Sequence, residues 1–177
     1  MAIDQDNKSR PRYRPLVRDR LGRHHLLLCD AATVPPTSLS DAAEFATMET
    51  WAAETAQFPT TTDLLGALPT RLSAETIGLR LYAVGTESFL WDVAAVARRV
   101  GMGAGEVFLC HAGGRARRVR CVHCQTLLDD VTMSLVDCTG CGATLFVRDH
   151  FSARLAAFMG VKVDAELPGE LPDAEAL

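Results

Sequence analysis

The chain has 177 residues, with 18 Lys and Arg against 22 Asp and Glu and 48% hydrophobic residues. A chain of this length can bury a real core, so a purely disordered protein is excluded, and one domain, or one with a small satellite, is expected. The net charge of −4 argues against general nucleic-acid binding, which draws its affinity from many Lys and Arg displacing phosphate counterions. The longest unbroken apolar runs, such as Leu26 to Cys29 and Val107 to Cys110, fall far short of the roughly 20 residues of a membrane-spanning helix. No apolar core of a secretory signal follows the basic start, so a cytoplasmic location is expected.

Residues 1–24 carry Lys8, Arg10, Arg12, Arg14, Arg18, Arg20 and Arg23 and are interrupted by Pro11 and Pro15. They read as a basic extended arm ordered only by contact with something else. Leu26 to Cys29 is a continuous apolar run suited to a parallel strand covered on both faces. Asp41 and Glu44 have the spacing of a reciprocal cap, and Phe45, Met48, Ala52 and Thr55 follow at helical intervals, which predicts a helix from about Asp41 to Gln57. Pro59, a threonine run and Pro69 predict a loop, with one helical turn at Asp63 to Leu68. Leu79 to Val84 is the second strand. Thr86 then caps a helix with Phe89, Val93, Val96 and Val100 on one face, and Gly101 ends it. Val107 to Cys110 is the third strand. The alternation predicts a small three-layer, Rossmann-like α/β domain over residues 25–112, with three parallel strands.

Cys121-Val122-His123-Cys124 and Cys138-Thr139-Gly140-Cys141 are two CxxC pairs separated by 13 residues. Each pair can point two sulfurs at one ion, so Cys121, Cys124, Cys138 and Cys141 are the predicted metal ligands. The segment between them runs out and back as a hairpin, with Val131, Met133 and Leu135 alternating along one strand. Zinc is the expected ion and iron the alternative, since a rubredoxin-type centre uses the same four sulfurs. Four sulfurs fill a tetrahedral zinc and leave no position for water, so no catalytic residue is assigned. His123 reads as a surface or supporting histidine, and Cys29 and Cys110 as small buried apolar residues. Arg115, Arg117, Arg118 and Arg120 are placed to offset the site's negative charge. Thr144 to Val147 predicts a strand, and Asp149 or Ser152 caps a following helix bearing Leu155, Phe158 and Met159. This zinc-ribbon domain is expected to span residues 113–163, and 164–177 to form an acidic tail.

The run Leu81 to Val93, with Val100-Gly101 and Glu106 to Leu109, resembles the last part of the nicotinamide-binding domain of ferredoxin reductases. The loop Asp30-Ala31-Ala32-Thr33-Val34-Pro35-Pro36 has no glycine to admit a pyrophosphate, so the layer reads as a scaffold and a nucleotide site is left unassigned. That layer, the stretch His111 to Cys121, the paired CxxC turns and the stretch Val147 to Val161 together resemble the small DmmA-type subunits of dimethylamine monooxygenase. The resemblance implies an accessory subunit of a bacterial complex that oxidises dimethylamine with NADPH and oxygen to methylamine and formaldehyde. It also implies that haem, FMN, a two-iron cluster and folate lie on larger partner subunits. Two other readings remain open from the residues: a rubredoxin-like electron carrier with iron at the four cysteines, and a zinc-ribbon nucleic-acid binder using Arg115 to Arg120.

Overall fold

The structure, a computed structural model, describes residues 10–11, 13–31, 48–74, 77–166 and 168–177. It divides into two compact units, one of Tyr13–Gly114 and one of Arg115–Leu177 with Met1–Arg12.

The first unit is built on a parallel sheet of order β2-β1-β3-β4, from β1 (His24–Cys29), β2 (Glu49–Ala52), β3 (Leu79–Gly85) and β4 (Val107–His111). The sheet therefore has four strands where three were expected. Glu49–Ala52 lies within the predicted helix Asp41 to Gln57 but pairs with β1 as an edge strand. Residues 41–47 of that predicted helix lie outside the described residues. The predicted loop is a full helix, α1 (Thr61–Ser73). Thr60 accepts from the Asp63 N–H and the Asp63 carboxylate accepts from the Thr60 N–H, a reciprocal cap worth about 1 kcal/mol. Leu64, Leu68 and Leu72 then fall four residues apart on one buried face, and that burial outweighs the bond lost at Pro69.

The strongest predicted helix is present as α2 (Glu87–Arg99), with Phe89, Leu90, Val93, Val96 and Ala97 buried and Gly101 beyond its end at φ 91°. Both helices cover one face of the sheet, packing with Leu26, Leu28, Leu81 and Ala83. Burial of each such leucine contributes about 1.5–3 kcal/mol.

Leu27, Cys29, Tyr82, Val84 and Cys110 point to the opposite face, where Leu16 buries against them. Residues 13–24 of the expected arm thus gain their order from the α/β unit itself. Tyr13 donates to Glu87 and accepts from the Trp91 indole N–H. The Asp19 N–H donates to the Tyr82 hydroxyl, and Arg80 pairs with the Asp19 carboxylate. Arg80 and the Leu21 N–H hold the Asp19 carboxyl below its usual range, and burial holds the neighbouring His25 below its own. Both groups therefore bind protons more readily in the unfolded chain, so this strap loses stability as pH falls through their ordinary ranges. Hydrogen exchange at residues 13–23 should slow between pH 7 and pH 4 by less than the intrinsic rate does, so that their protection factors fall. Arg80→Gln should flatten the carboxylate part of that dependence.

Cys29 and Cys110 flank Val84 in register, so their strands stand two spacings apart, about 9–10 Å. A disulfide needs Cα atoms within about 7 Å, and the two thiols do not form a redox pair. Burial pushes the Cys29 thiol up to about 12 and raises that of Cys110 as well.

The second unit is a five-stranded sheet of order β6-β5-β9-β8-β7. Its strands are β5 (Arg117–Cys121), β6 (Leu127–Val131), β7 (Leu135–Asp137), β8 (Thr144–Ser152) and β9 (Ala157–Lys162). Val119, Cys121, Leu145, Val147 and Phe158 form its core. The predicted C-terminal helix is absent. Phe158 and Met159 lie on β9, which pairs antiparallel with β8 and parallel with β5, and Ala156 makes the turn at φ 52°. Gly160 explains the close packing there, since a Cβ would stand 2.7 Å from Val119 Cγ1 and 3.0 Å from Leu145 Cδ1. The expected single strand through Val131, Met133 and Leu135 is instead two strands, β6 and β7, broken at Thr132 to Ser134. The acidic tail is tied at its end: the Ser134 N–H donates to the Glu175 carbonyl and the Leu177 N–H to the Thr132 carbonyl.

Candidate metal centre

Cys121 ends β5 and Cys138 follows β7, so each CxxC pair begins where a strand stops. The two turns repeat the same bonds. The Cys121 N–H donates to the Thr126 carbonyl and the Gln125 N–H to the Cys121 carbonyl; the Cys138 N–H donates to Ala143 and the Gly142 N–H to Cys138. The fourth residue after each first cysteine takes a left-handed backbone, Gln125 at φ 67° and Gly142 at φ 71°. The Val122 N–H also donates to the Gly160 carbonyl, which fixes the first turn to β9.

This repeat brings the four predicted ligands together, with all four Sγ atoms within 4.8 Å of one another. Each inner cysteine faces the outer cysteine of the other turn: Cys121 to Cys141 is 3.9 Å and Cys124 to Cys138 is 3.4 Å. Four ligands about 2.3 Å from one ion stand about 3.8 Å apart, so the donor set and its spacing fit a tetrahedral thiophilic ion. Cys121 and Cys138 are buried, Cys124 is half-buried and Cys141 is exposed.

The electrostatics suit a cation. The Thr126 hydroxyl, 3.2 Å from Cys124 Sγ, and the Thr126 N–H favour the thiolate and bring the Cys124 thiol down to about 6. At Cys141 the Ala143 N–H pulls in the same direction, but partial desolvation by the neighbouring sulfurs and the bonds with Cys124, Cys138 and Cys121 push the thiol up to about 12. The first sulfur ionises easily and another resists, because like charges crowd one small volume. A divalent ion removes that conflict.

Gly140 closes the second turn against the first, and a Cβ there would stand 2.1 Å from Thr126 Oγ1 and 3.2 Å from Cys124 Sγ. Gly140→Ala and Thr126→Val should each weaken metal binding about 10- to 100-fold, read by competition with a chromogenic chelator. Thr126 escaped the sequence reading, and its position two residues after a CxxC pair is the signal that could have found it.

Three of the four clustered arginines have partners of their own. Arg117 bonds the Asp149 carboxylate and stacks 4.4 Å over the Phe158 ring, and Arg118 bonds Asp129. Arg120 donates to the Gln125 side chain, beside the first turn. Asp149, expected as a helix cap, receives Arg10 as well as Arg117. Ser152 accepts from the Leu155 N–H across the turn between β8 and β9. His123 is exposed.

In the α/β unit, strand order β2-β1-β3-β4 puts a topological switch point between β1 and β3, where such sheets receive ligands. Asp30 follows β1 there. Its carboxylate accepts from the Thr86 N–H at 3.0 Å, the Thr86 hydroxyl at 2.5 Å and the Thr61 hydroxyl at 3.3 Å. A carboxylate of the chain itself thus meets the start of α2 and the start of α1, where an anionic ligand would gain most. Gly85 allows this approach, since a Cβ would lie 2.3 Å from Asp30 Cβ. The glycine-free loop pointed to a scaffold, but nothing in the sequence pointed to Asp30.

No helix among the described residues is long and apolar enough to cross a membrane. No solved structure matches the chain. Over 111 residues it is 42% identical to the heme-dependent oxidative N-demethylase delta subunit of Ectopseudomonas mendocina (strain ymp). That alignment covers 63% of the chain and 63% of the relative's length. Residues 34–107 match the N-terminal domain, and residues 118–161 the C-terminal domain, of the family described as dimethylamine monooxygenase subunit DmmA-like. The second match contains all four clustered cysteines, and with both domains present in order the chain belongs to the DmmA-like family.

Proposed function

We propose that this chain is an accessory subunit of a multi-subunit oxidative N-demethylase acting on dimethylamine, with one zinc ion held by Cys121, Cys124, Cys138 and Cys141. The observation that carries the structural role is the closed set of four sulfurs, which leaves no ligand position for water or substrate. Zinc bound there supplies folding free energy to the ribbon, on the order of 10 kcal/mol or more. Haem, FMN, a two-iron cluster and folate belong on this reading to larger partner subunits. The family membership and the similarity to a delta subunit support the placement in such a complex.

The reading predicts no amine oxidation by the isolated chain, and restoration of full NADPH-dependent dimethylamine oxidation when it is added to a complex lacking it. Turnover by the chain alone, or equal rates with and without it, contradicts the reading. One observation favours a second reading: Cys141 is exposed, and a surface sulfur on an iron centre is an entry point for an electron. That reading requires iron in the purified protein and reduction of its visible bands by the flavin-bearing partner.

A further inference from the structure

We propose that the groove between β6 and β7 is a docking surface for a segment of a partner chain that presents an apolar anchor flanked by lysine or arginine. β6 and β7 are the two edges of the ribbon sheet, and both line one groove of about 450 Å³. Leu127 and Met133 line it while 50% and 40% exposed, so a partner there would remove apolar surface from water. Asp129, Asp130 and Asp137 also line it, and its described walls hold no lysine or arginine. Arg118 bonds Asp129 from β5, which leaves the groove as a whole negative. Apolar floor and acidic rim together select an apolar side chain with cationic neighbours.

The edges are poorly suited to strand addition. β7 has three residues, and the pairing of β6 shifts register between Arg117 and Val119, opposite the stretch where Asp130 takes φ 57°. Short and irregular edges resist pairing with a further strand, so recognition here falls to side chains. The groove also ends at the metal centre, since Asp137 precedes Cys138, and the docked form requires the metal-loaded ribbon.

That a partner exists rests on the subunit reading above, whereas its chemistry rests on the groove. The test uses the full, metal-loaded chain and two short labelled peptides, one alternating lysine with leucine and one alternating glutamate with leucine. The basic peptide should bind, with chemical-shift changes at Leu127 and Met133. Binding should weaken about tenfold or more in Leu127→Ser and in the double variant Asp130→Lys with Asp137→Lys, and it should weaken with salt. Unchanged metal content confirms that the variants keep the ribbon. Equal affinity for both peptides, or unchanged affinity in the variants, overturns the proposal. In a second arm, wild type and the double variant compete for a place in the native complex. Equal incorporation overturns the groove and leaves the subunit reading standing; failure of the wild type to incorporate overturns the subunit reading, and the peptides still decide the groove.

Discussion

Replacing Cys138 by serine is expected to empty the metal site and unfold the ribbon. Cys138 is buried, and its neighbours Cys121, Leu145, Val147 and Phe158 belong to the same small core. That core holds few large side chains for five strands, so the ion carries much of the stability, on the order of 10 kcal/mol. Serine removes one of four ligands and leaves three thiols without their cation. Hydrogen exchange should show residues 115–162 losing protection while β1, β3 and α2 keep theirs, because the α/β unit has its own core. A chelator strong enough to strip zinc should produce the same pattern in the wild type, and added zinc should reverse it. Retained protection in metal-free protein would show that packing alone holds the ribbon.

The second large effect is expected at Asp30. Alanine there leaves the Thr86 N–H and the Thr61 and Thr86 hydroxyls without their carboxylate, at a cost of about 1–3 kcal/mol. Asparagine keeps one acceptor oxygen and should recover about half of the loss. The readout is the shift in unfolding midpoint of the α/β unit in urea. Asp30→Ala also clears the start of α2, so phosphate should stabilise this variant and leave the wild type unchanged. Stabilisation of the wild type by phosphate would mean that Asp30 does not fill the anion position.

Sequence and structure agree most closely where one local pattern has one physical solution. The CxxC pairs could meet only by forming matched turns, and the Phe89 to Val96 stripe could be buried only as a helix. Disagreement falls where the pattern is ambiguous. Leu155, Phe158 and Met159 have helical spacing, yet the apolar stretch 157–161 fits a buried strand equally well, and the decisive fact is the space between Val119 and Leu145 that only Gly160 leaves open. Glu49–Ala52 is a four-residue edge strand, partly exposed and without alternation, so the helical spacing of Met48, Ala52 and Thr55 masked it. Pro59 and Pro69 pointed to a loop, but Pro59 precedes the cap and Pro69 is tolerated near the end of α1 because three leucines bury behind it. The strap from Tyr13 to Asp19 depends on contacts with residues about 60 to 80 positions away, which no local reading of a basic, proline-interrupted segment contains.

On this reading the four-sulfur zinc site is closed and serves structure. Elemental analysis of the purified chain, with an absorbance spectrum of the same sample, decides between that site and its alternatives. The expected result is one zinc per chain, no iron, no visible bands, and four thiols that react with a thiol reagent only after a chelator is added. Stoichiometric iron with visible bands from its sulfur ligands, or four freely reactive thiols with no metal, would contradict it.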